Sequence, residues 1–130
     1  MNTQRSWSGS PWESKAGYCR ALRVDDRVWV SGTGSFRDGE LVHPDDPARQ
    51  AERCFNIVLE ALTELGAAPE HVVSVRMYVT DIGAAAEISE AHRQAFGEHP
   101  PTSTLIEVSA LVHPEMLIEV EAEAVVREAV

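Results

Sequence analysis

Three glutamates near the C-terminal end of the chain are the first residues that suggest chemistry. Glu119, Glu121 and Glu123 recur at every second position, which places them on one face of a β-strand. One such carboxylate can transfer protons to and from water, and the others can support it. The alternative interpretation is a solvated or ion-paired strand. Glu107 would share a face with Ser103 in the preceding strand, so a paired-carboxylate site with Glu119 is a further hypothesis.

Two arginines could hold a negatively charged substrate near these glutamates. Arg20 lies two residues beyond Tyr18, so both side chains point to the same face of a strand. Arg76 shares a face with Tyr78 in the same way. A planar guanidinium can pair both oxygens of a carboxylate at once. The alternative for each arginine is a structural ion pair with one of the C-terminal glutamates.

Other familiar kinds of site are not supported by the residue spacing. Ser103 with His92 or His113 lacks the sequence context of a nucleophile and its base. No pair of histidines has metal-ligand spacing, so we expect no metal. The segment 32–34, Gly-Thr-Gly, is too short for a phosphate-binding fingerprint. It is better suited to close backbone approach, where free amides receive an anion.

The elements that must position these residues follow from hydrophobic periodicity and turn signals. Asp46-Pro47 is a strong helix start, and Gly66 is a natural helix end. Asp81 is predicted to cap a second helix that ends near Phe96. The sequence predicts the order β-β-(β)-α-β-α-β-β, with helices over 47–65 and 82–96 and strands over 19–24, 27–31, 35–42 (the bracketed one), 72–80, 102–108 and 116–126.

This order predicts an α+β fold with a single mixed β-sheet. Right-handed crossovers place both helices on one face of the sheet. The strands direct an apolar set of side chains toward the helices; in the strand at 72–80 this set is Val73, Val75, Met77 and Val79. The opposite sheet face carries Arg76, Tyr78 and Glu119. Such a mixed face suits a partner subunit better than bulk water.

Composition limits the class of protein. A chain of 130 residues suits one domain, 1–130, in which the polar segment 1–16 is expected to be irregular. The net charge is −10 and Lys15 is the single lysine, so electrostatics oppose binding to nucleic acid or anionic membranes. Without a signal peptide or an apolar span, we expect a cytoplasmic protein. Cys19 and Cys54 are then expected to be reduced and buried.

Several short motifs, taken in order, resemble the RidA/YjgF family, also called the reactive intermediate deaminase or endoribonuclease L-PSP family. No single motif is specific, but their order and spacing are. The resemblance runs from about Gly17 to Val126. The motifs are Tyr18-Cys19-Arg20-Ala21, Val30-Ser31-Gly32, Gln50-Ala51 through Asn56, Val75-Arg76-Met77-Tyr78-Val79-Thr80-Asp81, Glu107-Val108-Ser109-Ala110-Leu111 and Ile118-Glu119-Val120-Glu121-Ala122.

The resemblance implies a chorismate-mutase-like fold and a homotrimer with clefts between subunits. In active members the cleft hydrolyses enamines or imines to a 2-oxo acid and ammonia, without a metal or organic cofactor. By position, Tyr18, Ser31, Gly32 and Glu119 match the family's cleft residues. Glu119 falls at the glutamate assigned to orient or activate water.

Two positions depart from the family pattern. Ser103 stands where the family has the arginine that clamps the substrate carboxylate, and Ser89 stands where it has a cleft asparagine. Losing an arginine–carboxylate pair should cost roughly 2–5 kcal/mol of binding. We therefore expect the usual imino acids to bind poorly. The hypotheses are a cofactor-free imine or enamine hydrolase on an altered substrate, a non-catalytic trimer that binds a small metabolite, and, less favoured by charge, an endoribonuclease.

Overall fold

The structure, a computed structural model, describes residues 1–127. Its elements in chain order are β1 (Thr3–Ser6), α1 (Pro11–Ala16), β2 (Ala21–Val24), β3 (Arg27–Thr33), β4 (Phe36–Arg37), β5 (Glu40–Leu41), α2 (Pro47–Glu64), β6 (Val72–Val79), α3 (Ala85–Phe96), β7 (Thr102–Glu107) and β8 (Ile118–Val125). Short 3-10 helices, Pro69–His71 and Ile82–Ala84, precede β6 and α3.

Six strands form one mixed sheet in the order β1-β2-β3-β8-β6-β7. The neighbours are antiparallel except β6 and β7, which are parallel and are connected through α3. α2 and α3 pack on each other and on one face of the sheet, and the apolar core lies between these two layers. The predicted α+β fold with two helices on one face is confirmed. The strand expected over 35–42 is instead a small separate hairpin of β4 and β5.

Helix α2 begins and ends where its sequence signals indicate. The side chain of Asp46 accepts a hydrogen bond from the Arg49 amide at 3.1 Å, and Pro47 occupies the first turn. Gly66 follows the last turn with a φ of 78°, in the left-handed region that glycine adopts readily. The side of α2 that faces the sheet buries Ala51, Cys54, Phe55, Val58 and Leu62.

The two central strands show the predicted alternation with one error. In β8 the buried apolar residues are Ile118, Val120, Ala122 and Ala124, between the half-buried glutamates. In β6, however, Val73 is 43% exposed, and Val72 is buried in its place. The register between β6 and β8 shifts between Val72 and Ser74, so one residue is inserted and the alternation changes phase.

The segment 1–16 is ordered, which corrects the expectation that it is irregular. β1 extends the sheet by pairing with β2, from Thr3 opposite Val24 to Ser6 opposite Ala21. α1 follows, with Ser10 as its N-cap and Gly17 at its C-terminal end. The sequence carries capping signals for α1, Ser10-Pro11 and Gly17, but no apolar periodicity, because the one buried side chain of α1 is the charged Glu13; β1 is a polar edge strand.

Asp81 caps a different element from the one predicted. Its side chain accepts a hydrogen bond from the Gly83 amide at 2.8 Å, which caps the 3-10 helix Ile82–Ala84. Helix α3 begins after this turn, at Ala85. No helix in residues 1–127 combines the length and apolar character that crossing a bilayer demands.

A buried glutamine connects α2 to the entrance of β8. The side chain of Gln50 is fully buried. Its amide nitrogen donates to the carbonyl oxygens of His43 and Glu115, both at 3.0 Å, and its oxygen accepts from the Leu117 amide at 2.8 Å. These hydrogen bonds satisfy the buried side-chain amide and connect the loop before α2 to the segment that enters β8. Gln50 thus fixes the chain two residues before Glu119.

Replacement of Gln50 by leucine should destabilise the protein strongly. The Gln50→Leu variant keeps a similar volume but removes three hydrogen bonds and leaves the Glu115 carbonyl and the Leu117 amide without their side-chain partner, so we expect a loss of about 3 kcal/mol in the free energy of unfolding. Urea denaturation followed by circular dichroism measures the loss. Gln94→Leu makes the same chemical change on the exposed side of α3 and should shift stability far less. Equal effects of the two variants would contradict the role given to Gln50.

Candidate functional site

A cavity of about 550 Å³ lies between the N-terminal segment, the end of β3, the β4–β5 hairpin, α2 and β8. Its volume is within the range of about 300–1,000 Å³ that is typical of ligand pockets. Four of the residues expected in the site line it: Tyr18, Arg20, Gly32 and Glu119. A single chain therefore brings half of the predicted site residues together.

Arg20 is the buried cation of this cavity. Its side chain is only 7% exposed. Nη1 donates to the Gly32 carbonyl oxygen at 3.0 Å and to Thr33 Oγ1 at 3.2 Å. Nε lies 3.5 Å from a carboxylate oxygen of Glu13, an ion pair without hydrogen-bond geometry. Within residues 1–127, Nε and Nη2 have no hydrogen-bond partner, so the guanidinium retains donors for an anion.

The aromatic ring of Tyr18 lies beside this guanidinium, 5.5 Å from ring centroid to Arg20 Cζ. The face of an aromatic ring attracts a cation, and it does so more strongly when water is excluded. Tyr18 therefore helps to hold the planar guanidinium in one orientation. The sequence-based expectation that Tyr18 and Arg20 share one face is consistent with this contact.

Glu119 is half-buried against Gly32, in the same cavity as Arg20. Burial raises the pKa of the Glu119 carboxyl; the positive charge of Arg20 opposes this rise, and the negative charge of Glu121 adds to it. A Cβ at position 32 would lie 2.6 Å from Glu119 Oε1, so glycine is what permits this close approach. A carboxyl in this environment holds a proton at higher pH than a free glutamate, which suits proton transfer.

The other candidate arginine and glutamates have structural partners. Arg76 Nη1 lies 3.5 Å from Glu123 Oε1 on the sheet face opposite the helices. The Tyr78 hydroxyl donates to Glu121, and this hydrogen bond raises the pKa of Tyr78. Both contacts match the structural alternative considered for these residues. They leave Arg20 as the arginine that accompanies Glu119.

The remaining predicted site residues lie outside the cavity. The Ser31 hydroxyl donates to the Cys19 carbonyl oxygen at 2.8 Å, and Ser89 is exposed on α3. Ser103 and Glu107 are exposed on β7, the edge strand. One chain does not place these residues around Glu119, and their part in a site stays a prediction.

The pairing of β7 with β6 also bears on the hypothesis of two catalytic carboxylates. Glu107 pairs with Val79 on the helix side of the sheet, whereas Glu119 pairs with Tyr78 on the other side. The carboxylate of Glu107 accepts a hydrogen bond from the Ile82 amide at 3.0 Å. A Glu107–Glu119 pair is therefore not formed within one chain.

Sequence reasoning missed several residues that line the cavity. They include Trp7 and Trp12 of the N-terminal segment, Phe36, Arg53 and Ile57. Two tryptophans in a short polar segment were the one available signal, since tryptophan side chains are on average largely buried in folded proteins. Glu13 was missed because only the folded chain brings its carboxylate to Arg20.

The thiols and metal-binding groups add no further chemistry. Cys19 and Cys54 are free thiols; Cys54 is buried, which raises its pKa, and Cys19 is only partly buried. A buried protonated thiol is a poor nucleophile. Over the described part of the chain, no three His, Cys, Asp or Glu side chains cluster in a way that could hold a metal ion.

Neutralising Glu119 should stabilise the protein near neutral pH. Because the folded-state pKa is raised, the folded protein loses stability relative to the unfolded chain as pH rises through that pKa. Glu119→Gln removes this cost, so its melting temperature should exceed that of the wild type at pH 7, and the difference should shrink near pH 4.

Thermal unfolding at the two pH values tests this expectation. Glu52→Gln, on the exposed side of α2, controls for the change in net charge. A Glu119→Gln protein that is less stable than the wild type at pH 7 would show that the Arg20–Glu119 attraction outweighs the cost of burial.

Comparison with known proteins identifies the family. The sequence model described as Endoribonuclease L-PSP matches residues 9–126. An uncharacterized protein of Streptomyces coelicolor is 34% identical over 93% of this chain and 90% of its own, and a RutC family protein of Pyrococcus abyssi is 33% identical over 82% and 84%. The crystal structure of a Mycobacterium tuberculosis protein of the YjgF/YER057c/UK114 family superposes on this one with a TM-score of 0.88. The two sequences are 39% identical, and the match covers 96% of this chain and 100% of that chain. The chain therefore belongs to the RidA/YjgF family, as its motifs indicated.

Proposed function

We propose that this chain forms a homotrimer whose clefts bind a small carboxylate and hydrolyse an imine or enamine that carries it, without a cofactor. The observation that carries the proposal is the buried guanidinium of Arg20: Arg20 lines the same cavity as Glu119, and its Nη2 has no hydrogen-bond partner within residues 1–127. A buried charge with unused donors is costly unless an anion completes it. A substrate carboxylate is the natural group to do so.

Arg20 supplies the positive charge that position 103 lacks. The resemblance implies that other family members carry an arginine at that position, which clamps the substrate carboxylate. Here the position is Ser103, which lies exposed on the edge strand. Arg20 instead belongs to the same chain and the same cavity as Glu119. A carboxylate held there presents its neighbouring C=N carbon toward Glu119, and the usual small imino acids need not fit the altered geometry.

The reaction requires only water and proton transfer. The imine reacts in its protonated form: the Glu119 carboxylate accepts a proton from water while the water oxygen bonds to the imine carbon, which gives a neutral carbinolamine. The carbinolamine nitrogen then takes up this proton from the Glu119 carboxyl. The C–N bond breaks as the carbinolamine hydroxyl gives its proton to the Glu119 carboxylate, which leaves a 2-oxo acid and ammonia. Ammonia takes that proton from Glu119 and departs as ammonium. An enamine first gains a proton at carbon from solvent and becomes the protonated imine. The raised pKa of Glu119 favours this alternation between base and acid.

A trimer explains the surfaces that one chain leaves exposed. The sheet face opposite the helices carries Trp29, and the edge strand β7 carries Ile106; each is at least one-third exposed. Apolar side chains on a broad sheet face favour coverage by another subunit. Association through these surfaces would also bring Ser103 and Glu107 of one copy toward the clefts of another.

Two alternatives remain distinguishable. The first alternative is a trimer that binds a carboxylate at Arg20 without turnover. Ser103 favours this alternative, because the family's clamping arginine is absent and the bound molecule would not be positioned for the reaction. The ribonuclease suggested by the family's label is disfavoured because the chain has a net charge of −10 and one lysine.

Turnover and substrate binding should respond differently to changes at the two key residues. A panel of 2-imino acids, generated from amino acids by an amino-acid oxidase and trapped with semicarbazide, measures hydrolysis as loss of the trapped product. We expect 2-iminopropionate to be near background and at least one larger imine to be hydrolysed. Glu119→Gln should abolish that activity. Arg20→Lys should raise KM about tenfold or more, because the Nη2 donor to the carboxylate is lost while a positive charge that faces Glu13 is kept.

Arg76→Lys is the matched control, since it makes the same substitution at an arginine outside the cavity, and its KM should stay within about twofold of the wild type. If no imine is hydrolysed while carboxylates still bind through Arg20, the non-catalytic alternative is correct. Unchanged KM in Arg20→Lys would remove Arg20 from the site.

The assembly can be measured independently of any ligand. Sedimentation velocity of the wild-type protein should give a single species with the mass of three chains. A Trp29→Glu substitution places a charge on the sheet face opposite the helices, and we expect it to dissociate the trimer. A monomeric wild-type protein at micromolar concentration would refute both the trimer and the clefts.

A further inference from the structure

The N-terminal segment contributes an aromatic wall to the cavity. Trp7 and Trp12 both line it, yet they are 59% and 44% exposed. Two large aromatic side chains that remain this exposed at the mouth of a cavity retain apolar area that an occupant can bury. Phe36, Ile57 and Met116 also line the cavity and form a second set of apolar side chains. An occupant thus meets carbon surface from both sets.

The polar groups of the cavity restrict the charge of that occupant. Arg20 offers unpartnered donors at a buried position, so one anionic group can be held there. Arg37 and Arg53 also line the cavity, but so do the carboxylates of Asp38, Glu60, Glu64 and Glu119, and the protein carries a net charge of −10. A second negative charge on the ligand would therefore gain little net attraction. The cavity therefore suits a single anionic group attached to an apolar body.

The aromatic wall and the anion site are physically connected. The Glu13 carboxylate of α1 lies 3.5 Å from Arg20 Nε, and it accepts hydrogen bonds from the amide (3.1 Å) and the hydroxyl of Ser8. Ser8 and Glu13 follow Trp7 and Trp12 directly in the chain. The same guanidinium that would hold the ligand's carboxylate thus fixes the segment that carries the two tryptophans.

We infer that this site selects monocarboxylates with an aromatic body, and that Trp7 and Trp12 are the residues that determine this specificity. The inference rests on the proposed function and specifies its substrate class. The carboxylate lies at Arg20, and the ring contacts the tryptophan wall and the apolar side chains of Phe36 and Ile57. Small 2-oxo and 2-imino acids lack the apolar body, so they leave the apolar side chains of the cavity exposed to water.

Isothermal titration calorimetry with three matched probes tests the inference on the full chain. The probes are propionate, 3-phenylpropionate and the neutral 3-phenylpropan-1-ol. We expect 3-phenylpropionate to bind at least about tenfold more tightly than propionate, because a phenyl ring leaves water. The alcohol should bind at least about tenfold more weakly than 3-phenylpropionate, because it lacks the charge that Arg20 receives.

Substitution of the tryptophans then identifies the wall. Trp12→Ala should reduce the preference for 3-phenylpropionate over propionate to within about threefold, while Trp12→Phe should keep most of it. Trp7→Ala, outside α1, provides a second test should Trp12→Ala unfold the segment. Ile82→Ala removes an exposed apolar side chain outside the cavity and should leave the preference unchanged.

The possible outcomes distinguish a failure of the aromatic specificity from a failure of the proposed carboxylate site. Equal affinity for propionate and 3-phenylpropionate, or a preference that survives both tryptophan-to-alanine changes, would overturn the aromatic specificity and leave the carboxylate site intact. If neither acid binds, or if Arg20→Lys binds both as the wild type does, the carboxylate site fails, and the inference fails with it.

Discussion

The buried guanidinium of Arg20 is the interaction on which the site depends. Its Nη1 holds the irregular part of β3 through Gly32 and Thr33, where the pairing of β3 with β8 shifts register. Its Nε faces Glu13, which fastens the N-terminal segment to the body of the protein. One side chain therefore joins the elements that enclose the cavity, and the cost of burying its charge is offset only because partners approach from several directions.

The same charge links ligand binding to the protonation of Glu119. Arg20 lowers the pKa of Glu119 against a larger rise caused by burial. An anion that binds to the guanidinium takes up part of this positive charge, so the Glu119 carboxyl becomes easier to protonate when a carboxylate is bound. In the proposed reaction, substrate binding itself would thus prepare the acid that later protonates the leaving nitrogen.

Much of the fold was readable from local signals, and the failures have physical causes. Asp46-Pro47 and Gly66 mark the ends of α2 because capping and backbone preference act within a few residues. The alternation in β8 is clear because one face is buried and the other carries glutamates. Val73 was misplaced because a register shift depends on the partner strand, which periodicity within one strand does not show. β1 and α1 were missed because they are stabilised by backbone pairing with β2 and by the Glu13–Arg20 contact, which involve residues distant in the sequence.

The predicted site residues likewise fall into two groups, those that meet in the cavity of one chain and those that lie apart from it. Tyr18, Arg20, Gly32 and Glu119 were found from motif position and strand face, and they meet in one cavity. Ser89, Ser103 and Glu107 lie apart from it, which is what a site completed by another subunit would require. In the proposed cleft, Arg20 rather than a residue of the edge strand would hold the anion. The distance from Arg20 to Glu119 is set within one chain, so anion binding in the proposed cleft depends on the fold first and on assembly second.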